Sequence, residues 1–210
     1  SRPGTHPRRP CPHGRGPRSS VRAYDVLSRD PELAPLVEQH GPLDVKPASD
    51  PFARLVVSVC NQQLSTDSAA AIEQRLFDRF EVTPEEMLAV DADALREVGL
   101  SGQKVEYVKH IARAFADGDL STAQLREVAD DEVRDRLTEI RGVGPWTADM
   151  FLIFVLARED VFPVGYLGIR KGMAELYGYD TDDRSGMRAH AERWRPYRSY
   201  ASRYLWRAVD

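Results

Sequence analysis

The sequence predicts an all-α fold. Three observations carry that reading. Apolar residues recur at helical spacing from Val21 onward, Ser, Thr and Asp caps precede many of these segments, and convincing period-2 alternation is missing. No Asn-Gly dipeptide marks a hairpin between strands. The spacing predicts eight to ten short helices with no internal repeat.

The elements follow in order. Asp30-Pro31 opens a segment with Leu33, Leu36 and Val37 on one face, closed by Gly41-Pro42. Asp50-Pro51 opens another, with Phe52, Leu55, Val56 and Val59 at helical spacing. Ser65 and Asp67 can cap a helix through Ala71, Ile72, Leu76 and Phe80. Thr83-Pro84-Glu85-Glu86 is a capping box with proline at the first helical position, and Ser121-Thr122-Ala123-Gln124 is a second box. Asp130 or Asp131 opens a helix ending near Ile140, and Pro145 to Leu156 reads as a strongly apolar helix. Further helices are predicted near 167–177, 185–193 and 197–207.

Composition narrows the function classes. The chain has 210 residues, 42% hydrophobic and 30% charged, so it can bury a sizeable core. No run of eighteen apolar residues exists, so no membrane partner is expected. The start of the chain lacks an apolar stretch, which makes a cytoplasmic location the expectation. Cys11 and Cys60 are the two cysteines, too few for a disulfide framework or a four-cysteine metal site. Cys11-Pro12-His13 is too small to hold a metal. No nucleotide-phosphate loop, metal-ligand cluster or Ser-His-Asp signature points to a small-molecule enzyme.

Charge is uneven. Residues 1–22 hold six arginines and no acid, and read as a disordered basic tail ahead of a domain over 23–210. Residues 23–210 carry 23 basic and 33 acidic residues, a formal −10. A nucleic-acid binder usually has the opposite balance, so any such partner must be gripped by a local site.

The sharpest local feature is Leu137-Thr138-Glu139-Ile140-Arg141-Gly142-Val143-Gly144-Pro145-Trp146-Thr147-Ala148. One helix ends, two glycines one residue apart allow a tight bend, and Pro145 opens the next helix. Free N–H groups at that helix start favour an anion, and a phosphate is the natural guest. A plain helix–helix turn with glycine at the C-cap is the bland alternative.

This segment resembles the helix-hairpin-helix (HhH-GPD) DNA glycosylase superfamily, in its 3-methyladenine (alkyl-base) branch. The resemblance covers nearly all of residues 23–210. Asp50-Pro51-Phe52 through Asn61-Gln62-Gln63-Leu64-Ser65 looks like the family's early helix. Val98-Gly99-Leu100-Ser101 with Lys104 looks like the loop before a DNA-facing helix. Asp160-Val161-Phe162-Pro163-Val164 and Leu167-Gly168-Ile169-Arg170-Lys171-Gly172 look like its active-site loop and helix. Trp194 through Ala201, with Tyr204-Leu205-Trp206, is similar to the branch's closing helix.

The resemblance implies two helical lobes around a cleft, and a monofunctional glycosylase, because Trp146 stands where bifunctional relatives keep a lysine nucleophile. The expected partner is double-stranded DNA with damaged bases, bound by a monomer in base excision repair. The target nucleotide would leave the stack and enter a pocket walled by Trp146, Met150, Trp206 and Gln63. Stacking on an aromatic face is worth roughly 1–3 kcal/mol per base. An alkylated purine also carries ring charge that tryptophan attracts. Core burial is the alternative for each tryptophan, and is favoured for Trp194. The hairpin Arg141, Gly142, Val143 and Gly144 would grip a phosphate, with Thr147 capping or holding it. Lys104 would be a further phosphate partner. A loop over 99–104, with Leu100, Gly102, Gln103 and Lys104, would enter the minor groove. No protein metal site or organic cofactor is expected, although hairpin carbonyls in the family often hold a monovalent cation.

One position departs from the family. A catalytic aspartate is expected about twenty residues after the hairpin tryptophan, and Pro163, Leu167, Gly168 and Ile169 fix that register on Tyr166. A phenol offers no fixed negative charge, and losing one electrostatic stabiliser typically costs on the order of 10²–10³ in rate. Excision is therefore expected to be impaired. Binding of damaged DNA without excision, and a hairpin kept only for structure, are the competing readings.

Overall fold

The computed structural model describes residues 17–118 and 120–209. Residues 1–16 of the expected tail lie outside them. The described residues form thirteen α-helices and one 3-10 turn, more than the eight to ten expected. One unforeseen piece is α6 (Ala92–Glu97), too short to leave clear periodicity, whereas the short helices α5 (Pro84–Ala89) and α8 (Thr122–Arg126) start at the two capping boxes. The tail boundary also moves. Helix α1 spans Pro17–Leu27, with Ala23 and Leu27 buried, so order begins before residue 23.

Local caps set many of the helix starts. Asp50 accepts a hydrogen bond from the Ala53 N–H and opens α3 (Pro51–Cys60). Ser65 does the same from Ser68 for α4 (Thr66–Arg79), Thr83 from Glu86 for α5, and Ser121 from Gln124 for α8. Ser101 accepts from Lys104 at the start of α7 (Gly102–Ala116). Such a cap is worth about 0.5–2 kcal/mol. Asp30 departs from its expected role. Its carboxylate caps a turn ahead of α2 (Ala34–His40), accepting from the N–H groups of Glu32 and Leu33.

Helix α9 (Asp130–Thr138) packs on α10 (Pro145–Phe154). Helices α5 and α6 pack on α7, and α3 lies against both α7 and α10. A second set comprises α1, α2, α11 (Leu167–Tyr177), α12 (Arg184–Ala191) and α13 (Arg198–Arg207). Within it α13 packs on α1, α2 and α11. Phe52, Leu55, Val56 and Val59 of α3 are all buried. Each such side chain contributes about 1.5–3 kcal/mol of transfer free energy. Trp194 is 2% exposed, and its indole N–H donates to Asp30 at 2.9 Å, so it is a core residue tying the second set together. Among the described residues, no helix is long and apolar enough to cross a membrane.

Candidate functional site

The glycine bend between α9 and α10 is built by close approach. The Val143 N–H donates to the Ile140 carbonyl at 3.0 Å, and the Val143 side chain is buried. Gly142 has φ +101, a region L side chains rarely adopt. A Cβ there would sit 2.2 Å from the Tyr107 ring of α7. Glycine is required twice, by the backbone and by the neighbour. Gly144 is the N-cap of α10 and Pro145 its first residue. The N–H groups of Gly142, Gly144, Trp146 and Thr147 meet no acceptor among the described residues. They stand at the positive end of α10, which favours an anion. Arg141 is exposed, so the bend lies at the surface.

The end of α3 is tied to this bend. The Gln62 amide nitrogen donates to Thr147 Oγ1 at 3.1 Å and to the Gly142 carbonyl at 3.4 Å. Lys104 Nζ donates to the carbonyls of Cys60 and Gln62 at 2.7 and 2.6 Å. Burial lowers its pKa from the ordinary lysine value. Two expectations are corrected here. The Thr147 side chain is buried and its hydroxyl accepts from Gln62, so that hydroxyl is not the phosphate contact and only its backbone N–H could be. Lys104 is a strut under the α3 end rather than an exposed phosphate contact.

The minor-groove loop is corrected as well. Leu100 is 3% exposed and packs in the core, so it is no wedge. Gly102 and Gln103 are exposed at the start of α7, but neither presents an apolar side chain. Of the exposed large apolar residues, Leu64 lies in the turn tied to the bend: it is 37% exposed, two residues after Gln62. Gln63 adopts φ +59, rare for a residue with a side chain, and strain of this kind clusters at functional sites. Gln63 is exposed and joins none of the ring contacts described next, so the expected pocket role falls to no observed contact. A lone leucine between Gln63 and Ser65, just past a helix end, was the signal available in the sequence.

Four aromatic residues gather near the start of α11 and the end of α13. The Tyr166 ring centroid lies 5.5 Å from that of Trp146 and 5.5 Å from that of Trp206. Trp206 stacks on Phe154 at 5.6 Å, and the Arg54 guanidinium lies 5.2 Å from the Phe154 centroid. Met150 is buried one turn after Trp146. Gly168 makes this crowding feasible, because a Cβ there would meet Tyr166 at 2.8 Å and Trp206 at 3.1 Å. The indole N–H groups of Trp146 and Trp206 are both buried without a partner. An unsatisfied buried donor costs about 1–3 kcal/mol, and such exceptions call for a guest or a function.

The HhH-GPD superfamily of base excision DNA repair proteins matches residues 56–196, which contain the bend, the tryptophan after it and Tyr166. The chain belongs to this superfamily. An HhH-GPD relative from Schizosaccharomyces pombe, DNA-3-methyladenine glycosylase 1, is 34% identical over 185 residues, covering 83% of this chain and 79% of that protein. A Bacillus subtilis DNA-3-methyladenine glycosylase is 26% identical over 200 residues, and this chain spans 66% of its length. Among solved structures, the S. pombe enzyme Mag1 in complex with abasic DNA superposes with a TM-score of 0.80 at 32% identity, over 89% of this chain and 95% of that one. A Bacillus halodurans DNA-3-methyladenine glycosidase gives 0.75 at 35% identity, over 90% and 88%.

The two acids near the aromatic cluster in sequence, Asp149 and Asp160, are both held in ion pairs. Asp149 pairs with Arg134 of α9 at 2.7 Å, and Asp160 is held by Arg195 and Arg198. Burial raises the Asp149 pKa, against the opposing pull of Arg134. Among the described residues no cluster of His, Cys, Asp and Glu could hold a metal ion.

Proposed function

We propose that this protein is a monofunctional DNA glycosylase of the alkyl-base type, acting on 3-methyladenine-like lesions in duplex DNA, with excision weakened by Tyr166. The observation that carries the reading is the placement of unpartnered N–H groups at the bend beside two tryptophans with unpartnered indoles. The bend would take a phosphate of the lesion strand. Leu64, beside it on the tethered α3 end, would fill the gap left by an everted nucleotide. The base would stack against Trp146 and Trp206, whose faces attract a cationic alkylpurine. That base leaves as a neutral molecule, so departure needs no general acid. What the site lacks is a carboxylate to stabilise the sugar cation and orient water.

The family's monovalent cation fits this bend in part. The Val143 carbonyl accepts no hydrogen bond from a described residue, whereas that of Gly142 is taken by Gln62. Val143 and its neighbours in the bend would hold the ion, which would add positive charge facing a phosphate.

The test is Tyr166→Asp, assayed by release of 3-methyladenine from alkylated DNA under single-turnover conditions. Release should rise at least about tenfold, against a typical effect of 10²–10³ for one electrostatic stabiliser. No rise would remove Tyr166 from the catalytic position. A second reading, binding of damaged DNA without excision, is favoured by the Tyr166 ring lying between the tryptophans. Binding with no measurable base release by the unaltered chain would select it.

A further inference from the structure

Leu64 can fill a gap in a base stack only if the turn that carries it is held in place. That turn, residues 61–64, has Gln63 at φ +59, a conformation that a residue with a side chain adopts only under constraint. One constraint is the Gln62 amide, which donates to the bend. The other comes from α7. Lys104 Nζ donates to the Cys60 and Gln62 carbonyls at 2.7 and 2.6 Å. The first carbonyl ends α3, and the second immediately precedes Gln63. No backbone N–H among the described residues reaches either one. Gln62 is thus gripped at both ends, its carbonyl by α7 and its side chain by α10 and the bend.

The first turn of α7 is an unfavourable place for a lysine. Its own N–H is capped by Ser101 at 3.2 Å, and a cation at a helix N-terminus opposes the helix dipole. Burial also disfavours the charge and lowers the Lys104 pKa. The carbonyl end of α3, negative by the same dipole argument, offsets both penalties. Lys109 of α7 is a chemical twin. Its Nζ donates to the Leu88 and Val90 carbonyls at the end of α5. That end leads to α6 and carries none of the exposed large apolar residues, whereas the α3 end carries Leu64. We propose that Lys104 is a positioning residue for base eversion: its ammonium fixes the 61–64 turn and so aims Leu64 at the base stack. Lys104 has this role on the reading that Leu64 fills the gap left by an everted nucleotide.

The experiment uses the full chain and a duplex carrying 3-deaza-3-methyladenine, a stable analogue of the alkylated base. Next to it stands 2-aminopurine, whose emission rises when its neighbour leaves the stack. With the unaltered chain at saturation, emission should rise at least about twofold. Leu64→Ala and Lys104→Met should each cut that rise at least about fivefold. Lys104→Arg keeps a cation able to meet two carbonyls and should retain at least about half of the rise. Lys104→Gln, a shorter neutral donor, should fall between Lys104→Arg and Lys104→Met, and decides the matter if Lys104→Met does not fold. Lys109→Met is the control for a strut that serves the fold alone, and should lower the melting temperature while leaving the rise in place. The slope of log affinity against log salt for an undamaged duplex should be the same for Lys104→Met as for the unaltered chain, because a lost phosphate contact would reduce it by about 0.9. A full rise in folded Lys104→Met or Lys104→Gln overturns the proposal. So does a reduced salt slope, or a Lys109→Met variant that dims the signal as much. No rise with the unaltered chain overturns the eversion reading itself, and a full rise in Leu64→Ala overturns the role given to Leu64, each a distinct result.

Discussion

Gln62 and Thr147 stand 85 positions apart in the chain and 3.1 Å apart in the fold, amide nitrogen to hydroxyl oxygen. This bond fastens the end of α3 to the first turn of α10, and so fixes the exposed Gln63-Leu64 pair beside the glycine bend. Gln62→Ala leaves the buried Thr147 hydroxyl without its donor. Stability should fall by about 1–3 kcal/mol in urea denaturation. Affinity for duplex DNA should fall as well, because the α3 end loses its place. An unchanged affinity in anisotropy titrations would show that the tether serves the fold alone.

Gly142→Ala tests the bend itself. The backbone at φ +101 and the Tyr107 ring 2.2 Å from the added Cβ both oppose it. The strained backbone alone costs about 1–3 kcal/mol. Tyr107→Gly in the same chain should restore only part of the stability, since it relieves the clash and leaves the dihedral. Full recovery would assign the whole penalty to the ring.

Trp194→Phe removes the 2.9 Å hydrogen bond to Asp30 in the second helix set. A hydrogen bond to a charged group contributes about 1.5–3 kcal/mol, and thermal unfolding should report a loss of that order. The slope of log affinity for DNA against log salt should stay as it is, because this indole is core. A changed slope would place Trp194 at the interface.

Arg134→Met strands the Asp149 carboxylate, which has 16% of its side chain exposed. The cost should be about 1–3 kcal/mol in urea denaturation. Adding Asp149→Leu should recover most of it, because an apolar pair needs no partner. If the double variant is as unstable as the single one, the pair contributes more than its own desolvation.

Cys60 supplies a pH prediction. Burial, outweighing nearby Lys104, pushes its thiol from 9.0 up to about 12. The folded state thus favours the protonated thiol. That contribution is complete below the unfolded value and is lost as pH rises through the folded one. In a Cys11→Ser background, Ellman's reagent should leave Cys60 unlabelled at about pH 8 until urea is added. Rapid labelling without urea would contradict the burial. Cys60→Ala should also lose less stability than the parent between about pH 9 and pH 12.

The sequence by itself determined the helical class, the places where Asp50, Ser65, Thr83 and Ser121 open helices, and the Gly142-x-Gly144 bend. These depend on side chains bonding backbone within three residues, and on a dihedral only glycine adopts freely. Only the tertiary structure decided that Leu100 is core while Leu64 is exposed, that Thr147 and Lys104 serve the fold, and that the Tyr166 ring lies between two tryptophans. Those outcomes depend on which distant segment fills the space beside a side chain. Helical periodicity records which face of an element is apolar, and carries nothing about the partner that will cover it.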